Sequence, residues 1–166
     1  FGLTMHETKS RLVDFRSPPN RVTREALKSF EKYNRKLQTF DFLGFNHFWK
    51  ISQNGYWIVC QQTMRTRFSR AVRSVKDWCK GNRHKSLRYQ QKRLSQMLRG
   101  HYGYYGITGN SRNLRNFYRI TTEIWRKWLS RRSRKSYINW EKFQDVIRTH
   151  PLPMPKVIHQ YYAAKL

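Results

Sequence analysis

From about Thr63 the apolar positions recur every three to four residues, the period of a helix buried on one side. Phe68, Ala71, Val72, Val75, Trp78 and Cys79 make one stripe, and Arg67, Arg70, Arg73 and Lys76 step along another face. Gly81-Asn82 ends this segment. A second helix is predicted from near Ser86, with Leu87, Gln91, Leu94, Leu98, His101 and Tyr105 inward and Arg88, Lys92, Arg93 and Arg99 outward. Ser111 stands where a third helix needs its N-cap. The stripe that follows, Leu114, Phe117, Tyr118, Thr121, Ile124, Trp125, Trp128 and Leu129, is the clearest in the chain, and Arg112, Arg115, Arg119, Arg126 and Lys127 take the other faces. After a basic break, Arg131 to Lys135, Asn139 and Glu141 open a short helix with Trp140, Phe143, Val146 and Ile147 on its apolar side. Pro151, Pro153 and Pro155 stop it and hold an extended tail.

Before Thr63 the pattern differs. Phe1 to Phe15 reads as a short turn and then a strand built on Leu12, Val13 and Phe15. Ser17-Pro18-Pro19-Asn20 breaks it. Thr23 to Lys36 has helical spacing at Ala26, Leu27, Phe30 and Tyr33. Phe40 to Phe45 opens a hairpin whose first arm ends near Ser52, and Tyr56 to Val59 forms the return arm. Asn54-Gly55 between them is the signature of a type I′ turn, which needs positive φ at both central residues. Gly44 inside a strand predicts a bulge or a close backbone approach. The fold class is therefore α+β and mostly α: strands with a β-hairpin over residues 1–62, then a three-helix bundle and a short C-terminal helix over 63–166.

Leu98 to Asn110 joins the second and third helices and holds three tyrosines, a histidine and four glycines. Glycine within a helix costs roughly 0.5–1 kcal/mol relative to alanine. At Gly100 and Gly103 the close approach of another backbone, protein or RNA, is the expected compensation. Gly106 and Gly109 read as helix end and turn.

Charge changes the picture most. Thirty-five Lys and Arg face nine Asp and Glu, a formal charge of +26. Self-repulsion of that size calls for a polyanion. An aromatic content of 16% favours RNA or single strands, whose bases can stack. A membrane partner is not expected, because no apolar run approaches the ~20 residues that span a bilayer. Cys60 and Cys79 form no C-x-x-C pair and read as reduced thiols of an intracellular protein, with no zinc site. Asp14, Asp41, Asp77 and Asp145 are widely spaced, so the converging carboxylates of two-metal phosphoryl transfer are not supplied, and there is no phosphate-binding Gly-rich loop. No catalytic residue and no cofactor is expected in this chain.

Several motifs occur together in order: Phe-Asp-Phe-Leu-Gly-Phe at 40–45, the Asn-Gly hairpin, Leu-Arg-Gly-His-Tyr-Gly-Tyr-Tyr-Gly at 98–106 and Gly-Asn-Ser at 109–111. Trp125-Arg-Lys-Trp128-Leu, Arg-Arg-Ser at 131–133, Trp140-Glu-Lys-Phe143 and Pro-Leu-Pro-Met-Pro follow. This set resembles the C-terminal part of group II intron-encoded reverse transcriptases/maturases, the end of the palm plus the thumb or X domain. The resemblance implies that Lys9 lies on the triphosphate side of a palm. It implies that Phe42, Leu43, Gly44 and Phe45 form a primer-grip-like hairpin, and that residues from about Thr63 to Ile158 hold template–primer duplex and intron RNA. The family's Tyr-Ala-Asp-Asp loop would lie upstream of Phe1, and Mg2+ would come only with that missing palm.

The expected RNA contacts are Arg67, Arg70, Arg73, Arg99, His101, Tyr102, Tyr104, Tyr105, Asn110, Arg112, Arg115, Arg119, Arg131 and Arg132. The expected partner is structured RNA, either intron RNA in support of splicing or ribosomal RNA, in a bacterial cytoplasm or an organelle matrix. Two alternatives stay open. The chain is one half of a split polymerase with a separate fingers–palm polypeptide, or it is a maturase-derived structural component of another ribonucleoprotein such as an organellar ribosome.

Overall fold

The computed structural model describes residues 12–15, 38–52, 54–133 and 137–160. The helix expected over Thr23–Lys36, the start of the first strand and Lys9 lie outside the described residues. The fold is α+β and mainly helical. Its elements are β1 (Phe40–Phe42), β2 (Phe45–Ile51), β3 (Trp57–Thr63), α1 (Arg65–Gly81), α2 (Leu87–Tyr105), α3 (Ser111–Leu129) and α4 (Trp140–Thr149). The chain divides into two compact units, Phe1–Cys60 and Gln61–Leu166.

The strands β1, β2 and β3 form one antiparallel sheet in that order. The expectation that Phe40–Phe45 is the first arm of the Asn54-Gly55 hairpin needs correction. Phe42 pairs with Phe45, so residues 40–45 are themselves a tight hairpin tip. Leu43 and Gly44 are its two loop residues, at φ 47° and 80°. Positive φ at both positions is the type I′ requirement, and it falls here. The second hairpin turns differently. Gly55 N–H donates to Ser52 C=O and Ser52 N–H donates to Tyr56 C=O, with Gly55 at φ 80°. Residues 12–15 form no strand. Asp14 N–H donates to the Gln38 side-chain oxygen at 3.0 Å, and Phe15 stacks on Trp49 and meets Phe40 edge-on. Phe15 packs there as aromatic filling without a ladder, and Leu12 is exposed.

Leu43 is a bulky residue in the left-handed region, which costs an L-residue roughly 1–2 kcal/mol, and its side chain is 68% exposed. Asparagine adopts that conformation more readily. We expect Leu43→Asn to stabilise the hairpin by about 0.5–1 kcal/mol, read as slower amide exchange at Phe42 and Phe45. Unchanged or faster exchange would show that Leu43 carries no backbone strain.

In the second unit the apolar stripes meet as the periodicity requires. Val75 and Cys79 of α1, Leu94 and Leu98 of α2, Leu114, Phe117, Trp125 and Leu129 of α3, and Phe143 of α4 form one core, with Leu152 of the tail. Each such side chain contributes roughly 1.5–3 kcal/mol on burial. The Cys79 thiol is pushed up to about 12 by burial and packs as a small apolar group. Ser86 caps α2 by accepting from Tyr89 N–H, and Asn139 caps α4 by accepting from Lys142 N–H.

Polar groups complete this core. Gln90 faces inward and Gln91 does not, contrary to the sequence pattern. Gln90 Oε1 accepts from the Trp125 indole N–H at 2.9 Å, and its amide nitrogen donates towards the carbonyls of Asn82, Arg83 and Lys85. Gln91 reaches outward to the Pro151 carbonyl at 2.8 Å. The close approach expected at Gly100 and Gly103 is found at Gly106 instead. Added Cβ atoms at Gly100 and Gly103 would meet nothing within 4 Å, whereas one at Gly106 would lie 2.9 Å from the Lys156 carbonyl. The proline-rich tail runs there, with Ile158 and His159 N–H both donating to Gly106 C=O.

Candidate nucleic-acid interface

Asn110, and not Ser111, is the N-cap residue of α3, and its side chain does not cap the helix in the usual way. It is tied elsewhere. Asn110 Oδ1 accepts from Thr63 N–H at 3.1 Å and from Asn113 Nδ2 at 3.0 Å. Its Nδ2 donates to Thr63 Oγ1 at 2.9 Å and to Tyr105 C=O at 2.8 Å. One buried amide thus joins the segment leading into α1, the end of α2 and the start of α3. The N-termini of α1 and α3 are thereby held at the same end of the bundle.

That end is electropositive for two reasons. Unpaired N–H groups make the start of a helix positive. Neither α1 nor α3 has an acidic residue in its first turn, where one would be favourable. Arg65, Arg67, Arg70, Arg112 and Arg115 lie along these two helices, and all five are exposed. Tyr104 is exposed beside them and meets Tyr105 edge-on at 4.8 Å. Burial pushes the Tyr105 phenol up, Tyr104 adds to the shift, and Arg67 and Arg70 pull it back. Those two guanidiniums therefore sit close to the tyrosine corner.

The other expected contacts divide clearly. Arg73 and Arg99 are exposed on α1 and α2. Arg119 pairs with Glu123 at 2.6 Å, a surface pair of little energetic weight. Arg131 is exposed and lies over the Trp128 ring at 5.4 Å. Arg132 is half-buried and donates to the Lys85 carbonyl at 2.9 Å, so it closes the far end of the bundle. His101, Tyr102 and Asn110 need correction as RNA contacts, because all three are buried. His101 stacks on Phe117 at 3.9 Å, and Tyr102 donates to the Pro153 carbonyl. Their helical positions face the other helices, so they hold the corner together and present little to a ligand. Phe42, Leu43, Gly44 and Phe45 form the hairpin tip of the first unit, with Phe42 and Leu43 exposed.

Sequence reasoning missed a second basic and aromatic cluster. Trp140 reads as an apolar-face residue, yet it is 51% exposed, and the Arg126 guanidinium lies 4.4 Å over its ring. The interleaving of Arg126, Lys127 and Arg131 with Tyr137 and Trp140 was the available signal. Among the described residues no group of His, Cys, Asp or Glu side chains is placed to hold a metal ion, and no helix is long and apolar enough to cross a membrane. No family model, no curated protein and no solved structure matches the chain.

Proposed function

We propose that this chain is an RNA-binding maturase module of the kind that forms the thumb of group II intron reverse transcriptases. It binds structured intron RNA and stabilises the RNA's active shape, and together with palm and fingers it holds the template–primer duplex. The protein supplies phosphate and base contacts, and the RNA supplies the splicing chemistry. Polymerisation needs converging carboxylates that these residues do not supply. The ordered motifs from Phe40 to Pro155 support the family reading. The observation that carries RNA binding is the Asn110 clamp, which sets two acid-free helix N-termini, their arginines and Tyr104 at one end of a chain with charge +26.

The test is a salt titration of RNA affinity. Removing one arginine–phosphate pair lowers the slope of log affinity against log salt by about one. Arg112→Glu with Arg115→Glu is expected to weaken binding to a folded group II intron RNA at least tenfold at low salt and to lower the slope by about two. Arg148→Glu, on α4 and paired with Asp145, serves as the control and is expected to do neither. Equal affinity and slope in wild type and double variant would remove the α3 face from the interface.

A further inference from the structure

The second basic and aromatic cluster lies at the opposite end of the bundle from the Asn110 clamp. The helix between the two ends, α2, has 19 residues and is about 28 Å long. There the last turn of α3 and the entry to α4 line a groove of about 610 Å³ with Arg126, Lys127, Arg131, Tyr137 and Trp140. That volume is of the size that small organic ligands occupy.

Three features define what fits. First, Arg126 is fixed as a flat surface. Its guanidinium covers the Trp140 ring, and its Nη1 donates to the Ile138 carbonyl at 3.2 Å, which locks the plane in place. Guanidinium planes and aromatic rings are the surfaces on which unpaired bases stack. Second, Tyr137 is 72% exposed, so its ring lines the groove without serving the core. Third, the groove's charge is positive. Lys127 and Arg131 are exposed, and the one acid on the wall, Glu123, is engaged by Arg119. A planar ring system with an attached phosphate meets all three conditions.

We infer that this groove takes an unpaired RNA nucleotide, with its base against Tyr137 and the Arg126–Trp140 stack and its phosphates on Lys127 and Arg131. The inference rests on the RNA-binding reading and adds a contact of different selectivity. The Asn110 end meets phosphates, which every RNA offers. The groove meets a base face, which a continuous duplex keeps stacked and hidden.

The experiment compares the affinity of the whole chain for a short unpaired RNA and for a blunt duplex of the same length. The variants are Tyr137→Ala, which removes an exposed ring, and Trp140→Leu, which removes the platform under Arg126. Thermal unfolding of each variant checks that it folds. Both are expected to weaken binding of the unpaired strand about tenfold, in line with base–aromatic stacking. Duplex affinity and the salt slope are expected to stay within about twofold of wild type. Effects equal on both RNAs, or absent on both with folding intact, overturn the groove as a nucleotide site while the α3 result for intron RNA stands. Absence of binding to either RNA by the wild-type chain overturns both readings. Should Trp140→Leu unfold the chain, Tyr137→Ala alone decides.

Discussion

Replacing Asn110 by alanine will destabilise the helical unit by about 3–4 kcal/mol, an amount comparable to the loss of a large core side chain. The side chain is 1% exposed and occupies both its donor and its acceptor functions. Alanine leaves the Thr63 N–H, the Thr63 hydroxyl and the Tyr105 carbonyl without their present partner. An unpaired buried polar group costs roughly 1–3 kcal/mol. Aspartate is no rescue, because it keeps the acceptor but loses both donors and adds a buried charge. Urea unfolding followed by far-UV circular dichroism measures the change, and exposed Arg115→Ala provides a neutral reference. A loss below about 1 kcal/mol for Asn110→Ala would mean that the two helix N-termini are not held by this amide. RNA affinity of the variant, measured where it remains folded, is expected to fall, since Asn110 is buried and positions the arginine-bearing helix N-termini without itself meeting the RNA.

Acidification from pH 7 to pH 4 will remove about 2–3 kcal/mol of stability through His101 alone. Burial lowers its pKa from 6.5 to about 4. The cause is packing: the ring is 8% exposed, stacks on Phe117 from α3 and touches Tyr105 on its own helix. Between these two values the unfolded chain binds a proton that the folded one refuses, so stability falls as pH falls. The contribution is complete above pH 6.5 and gone below about pH 4. His101→Phe keeps a flat ring and removes the titration. Its urea midpoint is expected to change less between pH 7 and pH 4 than that of wild type, with the gap opening in this window. Parallel curves for the two proteins would place the acid sensitivity in other groups.

The same histidine shows where sequence reading succeeds and where it stops. Its spacing from Leu94 and Leu98 puts it on the inner face of α2, and the structure buries it there. Spacing alone does not separate a buried histidine from one that meets RNA, because both readings want the same corner. Gln90 and Gln91 show the limit more sharply. They are adjacent, equally polar and about 100° apart on the helix, and the pattern favours the wrong one. Gln90 is inside because Trp125, distant in sequence, brings an indole N–H that needs an acceptor. Leu43-Gly44 shows a local failure. Asn-Gly is the favoured type I′ pair, yet strand pairing of Phe42 with Phe45 imposes that turn on Leu-Gly. At Gly100 and Gly103 composition suggests a close approach, but the tail meets Gly106.

The sequence by itself determined the excess of positive charge, the helical periods from Thr63 onward and the presence of hairpin strands directly ahead of them. These follow from composition and from intervals of two to four residues, over which side chains on one element share a face. The tertiary structure alone decided which polar residues are buried, which glycine another segment meets, and which arginines gather beside which aromatics. Thr63 and Asn110 lie 47 positions apart and Gln91 and Pro151 lie 60 apart. Periodicity within one helix carries no information about such partners. Their pairing is fixed only when packed helices bring buried donors and acceptors together and exclude the water that would otherwise satisfy them.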